Sequence, residues 1–91
     1  MNLAARLASA QRDPALIQAA AALAGGQLDV AERALKKILR QDPINVSAIR
    51  MLAEVAGRLG RYRDAEKLLS RCLELAPDFQ AARANYVTVL H

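Results

Sequence analysis

Tryptophan is absent from this 91-residue sequence, and two tyrosines and one phenylalanine are its only aromatic residues. Histidine and cysteine occur once each, as His91 and Cys72. A lone cysteine excludes an internal disulfide, and without a histidine or cysteine cluster there is no zinc-type ligand spacing. Three serines (Ser9, Ser47, Ser70) have no histidine base in a workable constellation, so nucleophilic catalysis has nothing to build on. Glycine is equally scarce. Gly25-Gly26 is an isolated pair rather than a phosphate-cradling loop, and no cofactor site is expected. No apolar run reaches 18 residues; ALIQAAAALA at 15–24 is too short to span a bilayer. The first residues, MNLAARLASAQRD, lack the apolar core and cleavage site of a secretory signal, so a cytoplasmic location is expected.

Charge is present but not of one sign. Thirteen basic residues, ten of them arginine, are interleaved with nine acids, for a net charge of +4. A nucleic-acid surface would show a basic stripe with stacking aromatics, and neither is legible. The 54% hydrophobic content is carried largely by alanine, a strong helix former that fills wide cores poorly. Such a composition suits thin helices packed closely in pairs.

What the sequence does contain is a repetition. GQLDVAERALKKILRQDP at 26–43 and GRYRDAEKLLSRCLELAP at 60–77 align without a gap, 34 residues apart. Gly26/Gly60, Ala31/Ala65, Glu32/Glu66, Leu35/Leu69, Leu39/Leu73 and Pro43/Pro77 coincide, and the basic pairs Arg33/Lys67 and Lys37/Arg71 match in charge. Apolar residues within each copy recur at helical spacing, Ala31, Leu35, Ile38 and Leu39 in one and Ala65, Leu68, Leu69, Cys72 and Leu73 in the other. Cys72 therefore points inward as a small buried residue. Gly26 and Gly60 precede these runs, where a tight turn between helices requires positive φ. Pro43 and Pro77 follow them and stop the helix. The spacing predicts helices over 3–10, 14–24, 27–41, 45–58, 61–75 and 79–90. Asp13 is placed to cap the second, with Pro14 in its first turn. Asp29 and Asp64 fall in first turns, where the helix dipole favours a negative charge. Glu32–Lys36 and Glu54–Arg58 form favourable i,i+4 pairs. Alanine at 31 and 65 lets paired helices approach closely.

On these residues the chain resembles the tetratricopeptide repeats, whose unit is a helix pair with a large residue, Leu, a small residue and an aromatic on its first helix, then Ala, a large residue and Pro. The second unit supplies Ile49, Leu52, Ala53, Ala56, Ala65, Leu69 and Pro77 at those offsets. The first supplies Ala15, Gln18, Ala19, Ala22, Ala31, Leu35 and Pro43, departing at Gln18. A third begins with Arg83, Tyr86, Val87 and Leu90. The fold expected is an all-α helix-turn-helix solenoid, with an N-terminal helical segment at 1–11, repeats at 12–45 and 46–79, and the first helix of a truncated third at 80–91.

The resemblance implies a protein–protein interaction module or scaffold, not an enzyme within these residues. First helices in this family line a groove for a peptide. The positions carried over are Asp13, Leu16, Ala20, Leu23 and Ala24, then Ser47, Arg50, Glu54, Gly57 and Arg58, then Ala81, Ala84 and Thr88. Arg50, Glu54 and Arg58 recur every four residues, either as a solvated charged stripe or as a dock for an acidic or mixed-charge segment. The clamp with which some members hold chaperone carboxylate tails is not expected, because its positions carry Leu16, Ala20, Met51, Ala81 and Asn85. The last helix would leave Tyr86, Val89 and Leu90 uncovered, since solenoid ends need a polar cap and VTVLH is not polar. Either the natural chain continues past His91 or a homo-oligomer covers this face. The segment PDFQAARANYVTVLH also resembles the N-terminal repeat array of bacterial tetratricopeptide sulfotransferases, whose catalytic domain would lie beyond His91. An accessory role beside such an enzyme is the alternative reading. An RNA-binding helical repeat is a third, disfavoured by the scarce aromatics and the interleaved acids.

Overall fold

The computed structural model describes residues 13–78. Four α-helices occupy them: α1 (Pro14–Ala24), α2 (Leu28–Gln41), α3 (Val46–Arg58) and α4 (Tyr62–Leu75), with no strand among the described residues. These helices match the expected ones closely. Gln27, Asn45 and Arg61, expected as first helical residues, are N-caps instead. The helices expected at 3–10 and 79–90 lie outside the described residues, as do the segments 1–11 and 80–91.

Local chemistry explains each boundary. Asp13 caps α1, its carboxylate accepting from the Ala15 N–H at 2.9 Å, with Pro14 as the first helical residue. The Asn45 side chain caps α3 in the same way, accepting from the Ala48 N–H at 3.1 Å. Both first helices end in a Schellman motif. Gln27 N–H donates to the Ala22 carbonyl and Gly26 N–H to that of Leu23; Arg61 to Ala56 and Gly60 to Gly57 repeat the pattern. The motif needs a left-handed residue, and Gly26 and Gly60 adopt φ of 75° and 78°. A Cβ at either position would meet nothing within 4 Å, so substitution by alanine costs backbone strain alone. Gly60→Ala is expected to lower stability by about 1–2 kcal/mol. D-alanine at position 60, placed by chemical synthesis, is expected to cost nothing. Equal loss with both enantiomers in thermal melts would contradict this account.

The helices pack in chain order, α1 on α2, α2 on α3 and α3 on α4. In addition α1 and α3 touch directly, whereas no Cα of α2 comes within 8 Å of α4. The first helices thus form one tight layer, and the second helices are splayed apart on the other side.

Two apolar clusters hold the pairs together, and α3 belongs to both. Ala48, Met51 and Val55 enter a cluster with Leu16, Ala19, Ala22 and Leu23 of α1 and Ala31, Leu35 and Ile38 of α2. Val46, Ile49 and Ala53 enter a second with Leu69, Cys72 and Ala76. Each set on α3 is spaced i, i+3, i+7, and the two are offset by two residues. At about 100° per residue they lie on nearly opposite sides of one helix. That is how a repeat array propagates: each first helix completes the core behind it and opens the next. Ala31 and Ala65 are fully buried, consistent with the close approach expected of them. Gln18, the departure in the first unit, is exposed and costs nothing there, while its counterpart Leu52 is half-buried against the first cluster.

Candidate functional site

The surface that the sequence assigns to partner binding lies on the layer of first helices. On α3, Ser47, Arg50 and Glu54 are half-buried and Arg58 is exposed. Helical spacing turns the last three into a ladder of ion pairs. Glu54 accepts from Arg50 at 3.4 Å through one carboxylate oxygen and from Arg58 at 2.8 Å through the other. The stripe is therefore largely self-neutralised. Its arginines are not two free cations awaiting a ligand.

Arg58 also reaches across to α1, where its guanidinium donates to the Leu23 carbonyl at 3.0 Å. That carbonyl, in the last turn of α1, already accepts from the Gly26 N–H, and Arg58 uses its second lone pair. The Arg58 charge suits this C-terminus as well. A residue expected only as surface thus fastens repeat to repeat. The sequence carried a signal for its pairing with Glu54, but none for a bond between residues 35 positions apart.

Beside this ladder, α1 presents Ala20 and Ala24, both exposed and both small. The shape is a low alanine shelf flanked by a wall of charged side chains. Two carried-over positions are corrected by the structure. Leu16 and Leu23 are buried in the first apolar cluster and offer no surface to a partner. They occupy the side of their helices that faces the neighbouring pair. Ala81, Ala84 and Thr88, and the self-association candidates Tyr86, Val89 and Leu90, lie outside the described residues, as does Asn85.

A second inter-repeat bond joins Arg61, the N-cap of α4, to Glu32 of α2 at 2.8 Å. The sequence pairs Glu32 with Lys36, and that contact exists but is looser, at 3.7 Å. Arg58 and Arg61 flank the Gly60 turn, so one loop clasps the first repeat at two points.

Cys72 is fully buried, and its thiol faces the Val46 carbonyl at a donor–acceptor distance of 3.6 Å. Burial pushes the thiol up to about 11, and the Arg50 guanidinium offsets part of that shift. A thiol so placed is not a nucleophile at neutral pH. Among the described residues, no three His, Cys, Asp or Glu side chains are grouped to hold a metal ion. No described helix is long and apolar enough to cross a membrane.

Comparison with known proteins agrees with this architecture. The family model for the tetratricopeptide repeat matches residues 22–86, which includes the two Schellman turns, the repeated second helices and all of α3. No curated protein and no solved structure matches the chain. Repeats of this family typically mediate protein–protein binding and are generally non-catalytic. With its helix pairs, its 34-residue period and this match, the chain belongs to the tetratricopeptide repeat family.

Proposed function

We propose that this chain is a scaffold module, built of repeats at 12–45 and 46–79, that binds a peptide segment of a partner protein on its layer of first helices. The observation that supports this reading is the direct contact between α1 and α3, which joins their outward faces into one surface. The shelf at Ala20 and Ala24 leaves room for partner side chains, and Ser47, Arg50 and Glu54 stand beside it. Because Arg50 holds Glu54 only at 3.4 Å while Arg58 holds it at 2.8 Å, Arg50 is the cation most readily exchanged to a partner carboxylate. A segment of mixed or acidic charge fits that arrangement.

The structure also dictates how to test it. Arg58→Ala would confound binding with stability, because Arg58 also ties α3 to α1. Arg50→Ala leaves Glu54 paired with Arg58 and keeps the inter-repeat bond. With a partner recovered by crosslinking and identified, Arg50→Ala is expected to weaken its binding by about fivefold to tenfold, the worth of one charge-assisted hydrogen bond. Unchanged affinity, measured by calorimetry, would remove Arg50 from the interface. Unchanged affinity after Ala20→Arg as well would remove the whole face.

A further inference from the structure

We infer that the opposite layer, formed by α2 and α4, is a second docking surface that takes an acidic segment of a partner protein through the repeat-related pairs Arg33/Lys67 and Lys37/Arg71. All four side chains are exposed. Each pair occupies the same register position in successive repeats, 34 residues apart, so the cations stand on two neighbouring helices at matching heights. Along each helix the separation is four residues, about 6 Å of rise. Across the layer no Cα of α2 comes within 8 Å of α4, and Leu39 of α2 packs against the cluster that holds Leu69 and Cys72. The four positions mark out a rectangle across two neighbouring second helices.

These cations are available in a way those of the other face are not. Lys37 and Lys67 have no ion-pair partner among the described residues, which hold six ion pairs in all. Arg33 meets Asp29 only at 3.7 Å, and Arg71 meets Glu74 only at 3.5 Å. Exposed pairs of that length contribute little and exchange readily. Arg58, by contrast, is engaged with Glu54 at 2.8 Å and with the Leu23 carbonyl at 3.0 Å. On α2 as a whole, four cations (Arg33, Lys36, Lys37, Arg40) face two anions (Asp29, Glu32). On α4 three cations (Arg63, Lys67, Arg71) meet three anions (Asp64, Glu66, Glu74), so the net positive charge of this layer comes from α2.

The chemistry that fits is carboxylates at intervals of about 6–7 Å, as presented by alternate residues of an extended chain or every fourth residue of a helix. A polyphosphate backbone fits less well. Asp29, Glu66 and Glu74 interrupt the rim of the rectangle, so a continuous strand of phosphates would cross anions. No aromatic ring stands between the basic positions of either helix to stack a base.

The test uses the full chain and a short fluorescent peptide of alternating glutamate and alanine, followed by anisotropy at low and at physiological salt. Binding is expected at low salt and should weaken as screening rises. The combined variant Arg33→Gln, Lys37→Gln, Lys67→Gln, Arg71→Gln is expected to lose about tenfold or more in affinity, since clustered exposed charges act together. The milder Lys37→Gln, Lys67→Gln pair removes only unpaired cations and serves if the fourfold variant fails to fold by circular dichroism. No binding at low salt, or unchanged binding in the lysine pair variant, would each overturn the proposal. Tighter binding of a short oligouridylate than of the peptide would do so as well, by assigning the surface to phosphates.

Discussion

Leu35→Ala is expected to destabilise the protein by about 2–5 kcal/mol, the largest single loss on offer in this core. Among the described residues, Leu35 and Leu69 are the two largest side chains with no exposed surface, and they occupy equivalent positions in the two repeats. Each projects from a second helix into the space closed by α3. Truncation removes the transfer free energy of three carbons and leaves a cavity that α-helices cannot collapse without breaking their own register. Leu35 sits in a cluster built by α1, α2 and α3, and Leu69 in one to which α3, α4 and Leu39 of α2 contribute, so Leu69→Ala is expected to cost a comparable amount. In a domain of this size 2 kcal/mol lowers the midpoint of thermal unfolding by about 8–16 °C. Thermal and urea melts of both variants decide the matter, and a loss below about 1 kcal/mol at Leu35 would show that the cluster repacks. Because α3 serves both clusters, either truncation should also weaken amide-exchange protection in α3. A helix that served one cluster alone would respond to only one of them.

Alkaline pH is expected to remove roughly 2–3 kcal/mol of stability through one buried group, Cys72. Its thiol is raised by burial from 9.0 to about 11. The folded state therefore holds the proton at a pH where the unfolded chain has released it. Stability from this source is fully present below pH 9.0 and is lost as pH climbs toward and through about 11. Below that window the group contributes no slope. The difference between wild type and Cys72→Ala isolates the thiol from every other group. The Ala variant should be less stable at neutral pH, where the Sγ contact to Val46 is lost, yet its stability should fall less steeply between pH 9.0 and about 11. Parallel curves would show that the thiolate finds enough compensation, from Arg50 above all, to remain inside. The same burial makes a second readout available: alkylation of Cys72 should proceed at the rate of unfolding rather than that of a free thiol.

The two proposed faces differ in how their charges are treated, and this has a physical basis. On the first-helix layer the helices touch, so long side chains are crowded toward each other and toward helix termini, and they settle into short bonds. On the splayed layer Arg33, Lys37, Lys67 and Arg71 stay exposed, paired loosely or not at all. Net charge of +4 says only that cations are in excess. The packing of helices says which of the described cations are free.

Much of the architecture was legible because it depends on neighbours along the chain. Asp13 before Pro14, the glycines at 26 and 60 and the prolines at 43 and 77 act within one helical turn, and the structure places all of them as the sequence suggests. Asn45 escaped notice as a cap, although an asparagine directly before the apolar run of α3 was a usable signal. The burial of Leu16 and Leu23 was legible only in part. Their apolar character was plain, but a family correspondence set them on the groove, while the helix pair behind them took them into the core.

By itself the sequence determined the period, the helix boundaries and the membership of each helix in a pair, because covalent neighbours and the 3.6-residue turn are sufficient for those. Only the tertiary structure decided that α3 divides its apolar residues between two clusters, that Arg58 ends on the Leu23 carbonyl and Arg61 on Glu32. Those contacts join residues 35 and 29 positions apart. Nothing local marks two arginines among ten as the ones that cross. The choice is made when neighbouring pairs stack, and the geometry of that stacking determines which side chains reach the next repeat and which are left for a partner.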